Sequence, residues 1–524
     1  MEHNVRIRSL LWQHRGFLSI IFMVALVIRA LVFFSYLSHD ERYWQVDSNT
    51  YHVVATNIAQ GKGYVGPDGS PHFYRLPGYP LFLAASYSLY GVDKKVALLP
   101  QIVLSSTIPV LVFILSLILF PGLLLLARAA GIFAIFHLGL VLYAGFFMTE
   151  TLFLFFFLLF LLFFFRGVHC FFCKSKQGVF LVDQPVPYEN ISLWLPEPLM
   201  STEGSTLFER SAGDTCPAFK TLPPQFFEGD PGVKAMVFAG LFLGLASLVR
   251  PVGHYALAVS LIVLALSNDL WKGKFVKASV LSVAWLLPVC IWLVRNVMLT
   301  GYLFFHTLPG GHFLYLSAAR VAMHVHDCSY QQARQILAHE VQEKMRSYEQ
   351  AKGSELLEIE RCRIHEQLAV EYFKKDLWRS AQYWLTDMFR TMFSLYSSEL
   401  LYLESGRQEI DYFQKGRPVG SLFERYIFPK TDSWLVKMII WTELEFFILL
   451  LLGFLGFIVR AAYRAWHKKY SLACALCRGL PFMVLFVIIA LAGGYSRMRL
   501  PIEPLLIVYS CAGWFLRIQK GDHA

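Results

Sequence analysis

QVDSNTYHVVATNIAQGKGYVGPDGSPHFYRLPGYPLFLAASYSLYG, residues 45–91, follows directly on a hydrophobic segment, Phe17 to Leu37, and therefore lies at a membrane surface. Asp47 with Ser48, Asn49 and Thr50 behind it forms a good helix start. Tyr51, Val54, Ala55 and Ile58 then recur at helical spacing until Gly61 ends the run. A turn rich in Gly and Pro spans Gly61 to Pro71. Pro77 suits the first turn of a second helix, with Leu81, Phe82, Ala85 and Leu89 on its apolar face and Gly91 as its stop. Two interfacial helices thus cradle a polar loop. Taken alone, Asp47 is a helix cap; a chemical role requires other parts of the chain to converge on it.

The rest of the chain supplies the membrane. Of 524 residues, 56% are hydrophobic and 46 are Phe, which excludes an ordinary soluble globule and predicts an all-α polytopic membrane protein. The formal charge of +10 comes mainly from Lys and Arg in short loops between hydrophobic segments. That is the positive-inside pattern, so nucleic acid is not an expected partner. The first segment follows Arg6, Arg8 and Arg15 and exceeds a signal-peptide core in length, so it is expected to stay as an anchor. About ten spans of roughly 17–25 residues are expected. They divide the chain into an N-terminal membrane module (1–166) with an external loop (38–95), a Pro-rich cytoplasmic insertion (167–232), membrane helices (233–294), a helical external domain (295–433) and C-terminal membrane helices (434–524). Helical patterns within the external domain cover Tyr330–Arg346, Glu355–Phe373 and Leu377–Leu395. The Phe- and Leu-rich fourth span reads as lipid-facing bulk.

Against the positive-inside trend, five arginines fall at outer ends of spans: Arg75, Arg250, Arg295, Arg497 and Arg499. An anion stabilises an arginine at that level, and the forked guanidinium suits phosphate. Glu150 and Glu503 lie at the same level, so internal salt bridges account for part of the set. Tyr74 and Arg75 either bind substrate or pin the loop. Arg29, inside the first span, either snorkels outward or pairs with Glu150, and His137 is a core residue. His52 and His72 are the residues that would hold a divalent metal ion, although loop histidines are commonly plain surface residues; no cofactor is otherwise implied. Cys170/Cys173 and Cys474/Cys477 form two C-x-x-C pairs on the cytoplasmic side, either a zinc site or unrelated small apolar pairs. Cys328 and Cys362 share the external domain, where an oxidising space would allow a disulfide.

The pattern D-S-x-x-Y, G-K-G-Y and Y-R-L-P-G-Y-P-x-F-L-A in the first loop resembles bacterial members of glycosyltransferase family 39, the relatives of protein O-mannosyltransferases and lipid A aminoarabinose transferases that share the glycosyltransferase-C fold. Four further blocks resemble the family in its order. They are FMTETLF at Phe147–Phe153, GLASLVRP at Gly244–Pro251, LPVCIWLVRNVMLTG at Leu287–Gly301 and YSRMRLPIEP at Tyr495–Pro504. Protein mannosyltransferases often carry Asp-Glu where this chain has Asp47 and Ser48. The resemblance implies Asp47 as catalytic base and Glu150 as a second catalytic acidic residue. It also implies Tyr74, Arg75, Arg250, Arg295, Asn296, Arg497 and Arg499 as substrate-binding residues.

The implied chemistry is sugar transfer from a polyprenyl-phosphate donor to a hydroxyl of a lipid, polysaccharide or protein, with inversion, on the periplasmic side of a bacterial inner membrane. No Asp-x-Asp and no Gly-rich dinucleotide turn occurs in the chain, so a nucleotide-sugar site is not expected. The competing class is a transporter or flippase of a lipid-linked anionic sugar. Such proteins tend to show repeated halves with polar groups at midplane, a pattern this sequence lacks.

Overall fold

The computed structural model describes residues 12–168, 231–404, 431, 433–467, 469–489 and 496–516. The expected cytoplasmic insertion (167–232), apart from its first two and last two residues, and Cys170 and Cys173 with it, lie outside them. The described residues are helical apart from loops and one isolated bridge between Val65 and Pro71. In chain order the helices are α1 (Arg15–Val32), α2 (Ser48–Ala59), α3 (Gly78–Tyr90), α4 (Leu99–Leu119), α5 (Leu124–Phe136), α6 (Leu138–Gly145), α7 (Glu150–Gly167), α8 (Pro231–Val249), α9 (Val252–Leu266) and α10 (Trp271–Thr300). They continue with α11 (Leu308–His312), α12 (Ala319–Val325), α13 (Tyr330–Lys352), α14 (Glu358–Lys375), α15 (Leu377–Phe393), α16 (Ser397–Glu404), α17 (Trp434–Trp466), α18 (Ser471–Ile488), α19 (Ser496–Arg499) and α20 (Glu503–Phe515).

Seven of the described helical segments are long and apolar enough to cross a membrane, and the pair α5–α6, bent by 49°, makes an eighth. The chain is a multi-pass membrane protein. The two remaining hydrophobic segments of the expected ten, α9 and α20, have 15 and 13 residues, short of the roughly 20 that a full span requires. The bend falls at His137, whose extended backbone separates α5 from α6 and whose Nε2 lies 3.2 Å from Glu503.

The fourth span departs from its sequence reading. α7 is the core of the bundle and not lipid-facing bulk: Phe153, Phe157, Phe160 and Phe164 are fully buried, and their rings meet Phe482 or Phe486 of α18. A helix that is apolar all round lacks a polar face because every face touches protein. Small residues let its neighbours close in. A Cβ on Gly240 or Gly244 of α8 would lie 2.5–2.6 Å from the carbonyl oxygens of Leu281 and Trp285 on α10, the close backbone approach that a small-xxx-small pattern allows.

Arg29 is likewise buried without meeting Glu150. It donates to Ser105 Oγ at 2.9 Å and to the carbonyls of Ala25, Ile135 and Ala134 beside the α5–α6 break, whose orphan carbonyls need donors. Gln101 does the same at the far end of α6. Its Nε2 donates to the carbonyls of Tyr143, Ala144 and Phe146, while its oxygen accepts from Tyr79 at 3.0 Å.

Helices α13, α14 and α15 agree with the patterns expected for residues 330–395 to within a few residues. They close over Leu314, Ala322, Leu337, Leu368 and Tyr372, and a fully buried bidentate pair, Arg320 to Asp387 at 2.9 and 2.6 Å, joins α12 to α15. Cys328 and Cys362 are both free, so the disulfide considered for this domain is not formed. Cys474 is disulfide-bonded, and Cys477 is free.

Gly78 sets the distance between the first loop and α8. A Cβ there would sit 2.8 Å from the Leu248 carbonyl oxygen and 2.7 Å from Val249 Cγ2. Because both neighbours belong to a packed helix end, Gly78→Ala is expected to cost about 1–3 kcal/mol. Thermal unfolding in detergent should therefore occur several degrees lower. An unchanged midpoint would show that the two elements slide apart freely.

Candidate active site

Asp47 occupies the N-cap position of α2, yet its side chain makes no capping bond. Its backbone is already helical (φ −79°, ψ −17°), which turns the carboxylate away from the first free amides. Ser48 takes over the local work, accepting from the Gln45 amide at 2.8 Å and donating to the Phe147 carbonyl at 2.9 Å. The Phe147 amide in turn donates to the Tyr43 carbonyl at 2.9 Å. The loop before α2 and the loop before α7 are thereby stitched together, which brings Asp47 and Glu150 to one end of the bundle.

Three arginines complete the cluster. Arg75 Nη2 lies 2.7 Å from Asp47 Oδ1, and Arg497 Nη2 lies 3.3 Å from Asp47 Oδ2. Arg497 Nε also contacts Glu150, whose Oε1 is 2.9 Å from Arg250 Nη1. Glu150 is wholly enclosed, whereas Asp47 and Arg497 keep 25% and 24% of their side-chain surface open. Three guanidinium groups against two carboxylates leave the opening net positive. Burial by itself would raise the Asp47 carboxyl; the charges of Arg497 and Arg75 outweigh it and hold the group well below the usual carboxylate range. Burial would likewise lower Arg497, and Glu150 and Asp47 reverse this.

Arg75 is set by its own neighbours. Its guanidinium lies over the rings of Tyr51 (4.7 Å) and Tyr74 (4.8 Å), and its Nη1 reaches the Tyr51 hydroxyl at 3.3 Å. The loop that carries it is closed by Asn57, which donates to the Val65 and Gly66 carbonyls at 3.1 and 3.0 Å. Gly61 (φ +75°) and Gly63 (φ +85°) supply the left-handed turns, which explains the glycines of the G-K-G-Y block.

The remaining expected residues stand apart from this cluster. Arg295 lies over Trp292, Phe73 and Tyr64 at 4.6, 5.0 and 5.2 Å and donates to the Tyr64 carbonyl at 3.1 Å. Asn296 donates to the Phe304 carbonyl at 3.0 Å, and Trp292 Nε1 to that of Phe305 at 2.6 Å. The W-x-x-R-N block therefore holds the first loop and residues 302–307 on α10. Arg499 is buried against Glu503 and donates to the carbonyls of Thr391, Met392 and Ser394, closing the C-terminal end of α15. His52 Nδ1 shares a 2.7 Å hydrogen bond with the Tyr87 hydroxyl, and His72 Nε2 accepts from the Arg75 amide at 3.3 Å. Among the described residues no group of three or more His, Cys, Asp or Glu is placed to hold a metal ion.

Glu399 escaped the sequence reading. It accepts from the Tyr143 hydroxyl at 3.0 Å, and burial pushes its carboxyl up, within electrostatic reach of Arg497 and Glu150. Its local sequence, S-S-E-L-L, is that of any helix start.

No family model matches the chain, and no curated protein does. Among solved structures, the chain is similar to the archaeal oligosaccharyltransferase AglB from Archaeoglobus fulgidus in complex with an inhibitory peptide and a dolichol-phosphate. Identity is 11%, with 96% of this chain and 50% of that one covered and a TM-score of 0.48. It is also similar to ArnT from Cupriavidus metallidurans in the apo state (13% identity, 96% of this chain and 78% of that one, TM-score 0.35) and bound to undecaprenyl phosphate (14%, 95% and 78%, 0.36). The chain spans about half the length of the archaeal oligosaccharyltransferase.

Proposed function

We propose that the chain is an integral membrane glycosyltransferase of the C-type fold. It transfers a sugar from a polyprenyl-phosphate donor to a hydroxyl of a lipid, polysaccharide or protein acceptor, with the active site on the periplasmic side of a bacterial inner membrane. The observation that carries the proposal is the placement of Asp47: at a helix start, its carboxylate leaves the helix uncapped and lies between Arg75 and Arg497. The five blocks of family resemblance in the sequence point the same way.

In this reading the donor phosphate binds at the open, positive side of the cluster, with its polyprenyl chain in the bilayer. Asp47 accepts the proton of the acceptor hydroxyl as that oxygen forms a bond to the anomeric carbon. The bond from that carbon to the phosphate oxygen breaks on the opposite face, and its electron pair leaves with the polyprenyl phosphate. One displacement inverts the centre. The leaving group is an anion, so it needs positive charge in place of a proton, and Arg75 and Arg497 supply it. Binding of the phosphate draws both arginines away from Asp47, which makes the carboxylate more basic at the moment it must take the proton. Glu150, enclosed behind Arg497 and Arg250, orients the arginines and stays out of reach of the acceptor.

The test is transfer of labelled sugar from a panel of undecaprenyl-phosphate sugars by the purified chain in liposomes supplied with membrane extract. Labelled lipid, polysaccharide or protein that depends on the chain is the expected result. Movement of intact donor between leaflets without transfer would replace the enzyme with a flippase.

A further inference from the structure

α15 is amphipathic in the reverse sense from a helix that packs on a core and faces water. The side it turns to the protein is polar. Tyr383 shares a 2.6 Å hydrogen bond with His324 Nε2, Asp387 takes both arms of Arg320, and Asp387 and Thr391 are wholly buried. The side it turns away is apolar: Trp378, Leu385 and Phe389 fall on one helical stripe and are 71, 58 and 59% exposed. Leu377 and Phe393, at the edges of that stripe, are exposed as well. A helix between a core and water points its apolar stripe inward, so the reverse arrangement requires an apolar medium outside.

The place of α15 in the fold says what that medium is. Trp384 Nε1 donates to the carbonyl of Ile488, the last residue of α18, at 3.0 Å, and the Phe393 ring meets Phe447 of α17 at 6.5 Å. Both partners belong to helices long and apolar enough to cross the membrane. Their exposed apolar residues, Ile448 and Leu449 on α17 and Val484 and Ile488 on α18, are the side chains that such helices present to lipid. α15 therefore lies where two spans end, and a Trp at that level is the side chain favoured between acyl chains and headgroups. Arg379, exposed beside the stripe, has the length to carry its charge to the headgroups. The stripe ends against α17 at Phe393, so a protein docked on it would have to cover the lipid-facing flank of that span too.

We propose that α15 lies in the surface of the bilayer leaflet, with Trp378, Leu385 and Phe389 among the acyl chains just below the headgroups, and that lipid is the partner of this face. The proposal stands apart from the glycosyltransferase reading, since it uses no residue of the Asp47 cluster. It has a consequence for that cluster all the same. Arg499 binds the carbonyls at the end of α15 and is two residues from Arg497, so a helix held in the leaflet fixes the height of the Arg497 segment above the acyl chains.

The experiment is photocrosslinking of the full chain in nanodiscs of phosphatidylethanolamine and phosphatidylglycerol. The photoreactive residue benzoylphenylalanine is placed, one position at a time, at Phe389 or Leu385 on the stripe, at Ile448 on the lipid-facing side of α17, and at Glu343, an exposed position on α13. Intact-mass analysis after illumination reads what each position has captured. Phe389 and Leu385 should give phospholipid adducts in a yield within about 2-fold of that at Ile448 and about 10-fold or more above that at Glu343. The two stripe positions guard against a local defect at either one, and each variant is first required to unfold at the wild-type midpoint. A lipid yield at both stripe positions no higher than at Glu343 overturns the inference and puts the face in water. Capture of a second copy, or of another segment of the same chain, in place of lipid overturns it too, because the face is then covered by protein. Either result leaves the reading of Asp47 as it stands.

Discussion

Asp47→Asn is expected to lower the turnover of sugar transfer by about 10²–10⁴-fold, the usual worth of a positioned general base, while donor affinity holds or rises. The asparagine keeps the size of the side chain and removes its charge and basicity. Arg75 and Arg497 lose an anionic competitor, so the phosphate of the donor meets them with less opposition. Steady-state kinetics in liposomes should therefore show the loss in kcat with little change in KM. The pH behaviour follows from the direction of the shift. Because the folded carboxyl titrates below its unfolded value of about 4, its ion pairs stabilise the protein fully above that value and are lost only as the pH falls through the lower, folded one. The difference in thermal midpoint between wild type and Asp47→Asn should thus be constant from pH 5 to 8 and shrink in stronger acid. With a quarter of its side chain open, Asp47 should contribute modestly to stability. Transfer that continues undiminished in the variant would return Asp47 to an ion-pairing role and make Glu399 the next residue to replace.

The sequence made the helical content, the order of hydrophobic segments and the helices on either side of the first loop legible, because each rests on local periodicity and local stops. α2 starts at Ser48 and ends ahead of Gly61 as the spacing of Tyr51, Val54 and Ile58 requires. What Asp47 does with its carboxylate is not local. Its partners are 28 and 450 residues away, and a cap and a catalytic carboxylate look alike in the string D-S-N-T. The arginines were visible as exceptions to the charge pattern. Their division was not: Arg75, Arg250 and Arg497 face two carboxylates at the opening, Arg295 sits among aromatic rings, and Arg499 closes a helix end. The same loss of information misplaced α7, since an apolar face buried against protein and one that faces lipid have the same composition. Glu399 carried no signal, because one polar residue at a helix start is unremarkable until the fold shows what it faces.

Glu150→Gln is expected to be the most damaging single change to stability, about 3–5 kcal/mol, the cost of leaving buried charge without its partner. Two arginines depend on this one enclosed carboxylate, Arg250 at 2.9 Å and Arg497 through its Nε, and among the described residues neither has another carboxylate except the Asp47 contact of Arg497. Both arginines meet the same oxygen, Oε1, which the amide can still present as an acceptor, so what the substitution removes is the negative charge that balances them. Thermal unfolding in detergent should fall well below that of Asp47→Asn, which removes charge from a partly open position. A second substitution separates the electrostatic cause from simple disruption. Arg250→Gln in the Glu150→Gln background removes one of the two stranded charges, so the double variant should be more stable than Glu150→Gln alone, a coupling that only interacting groups produce. Losses that merely add would mean that Glu150 matters for packing at the head of α7. In the coupled case activity should stay low, because Arg497, without Glu150 to hold its Nε, is free to lie across Asp47 and shield the carboxylate from the acceptor proton.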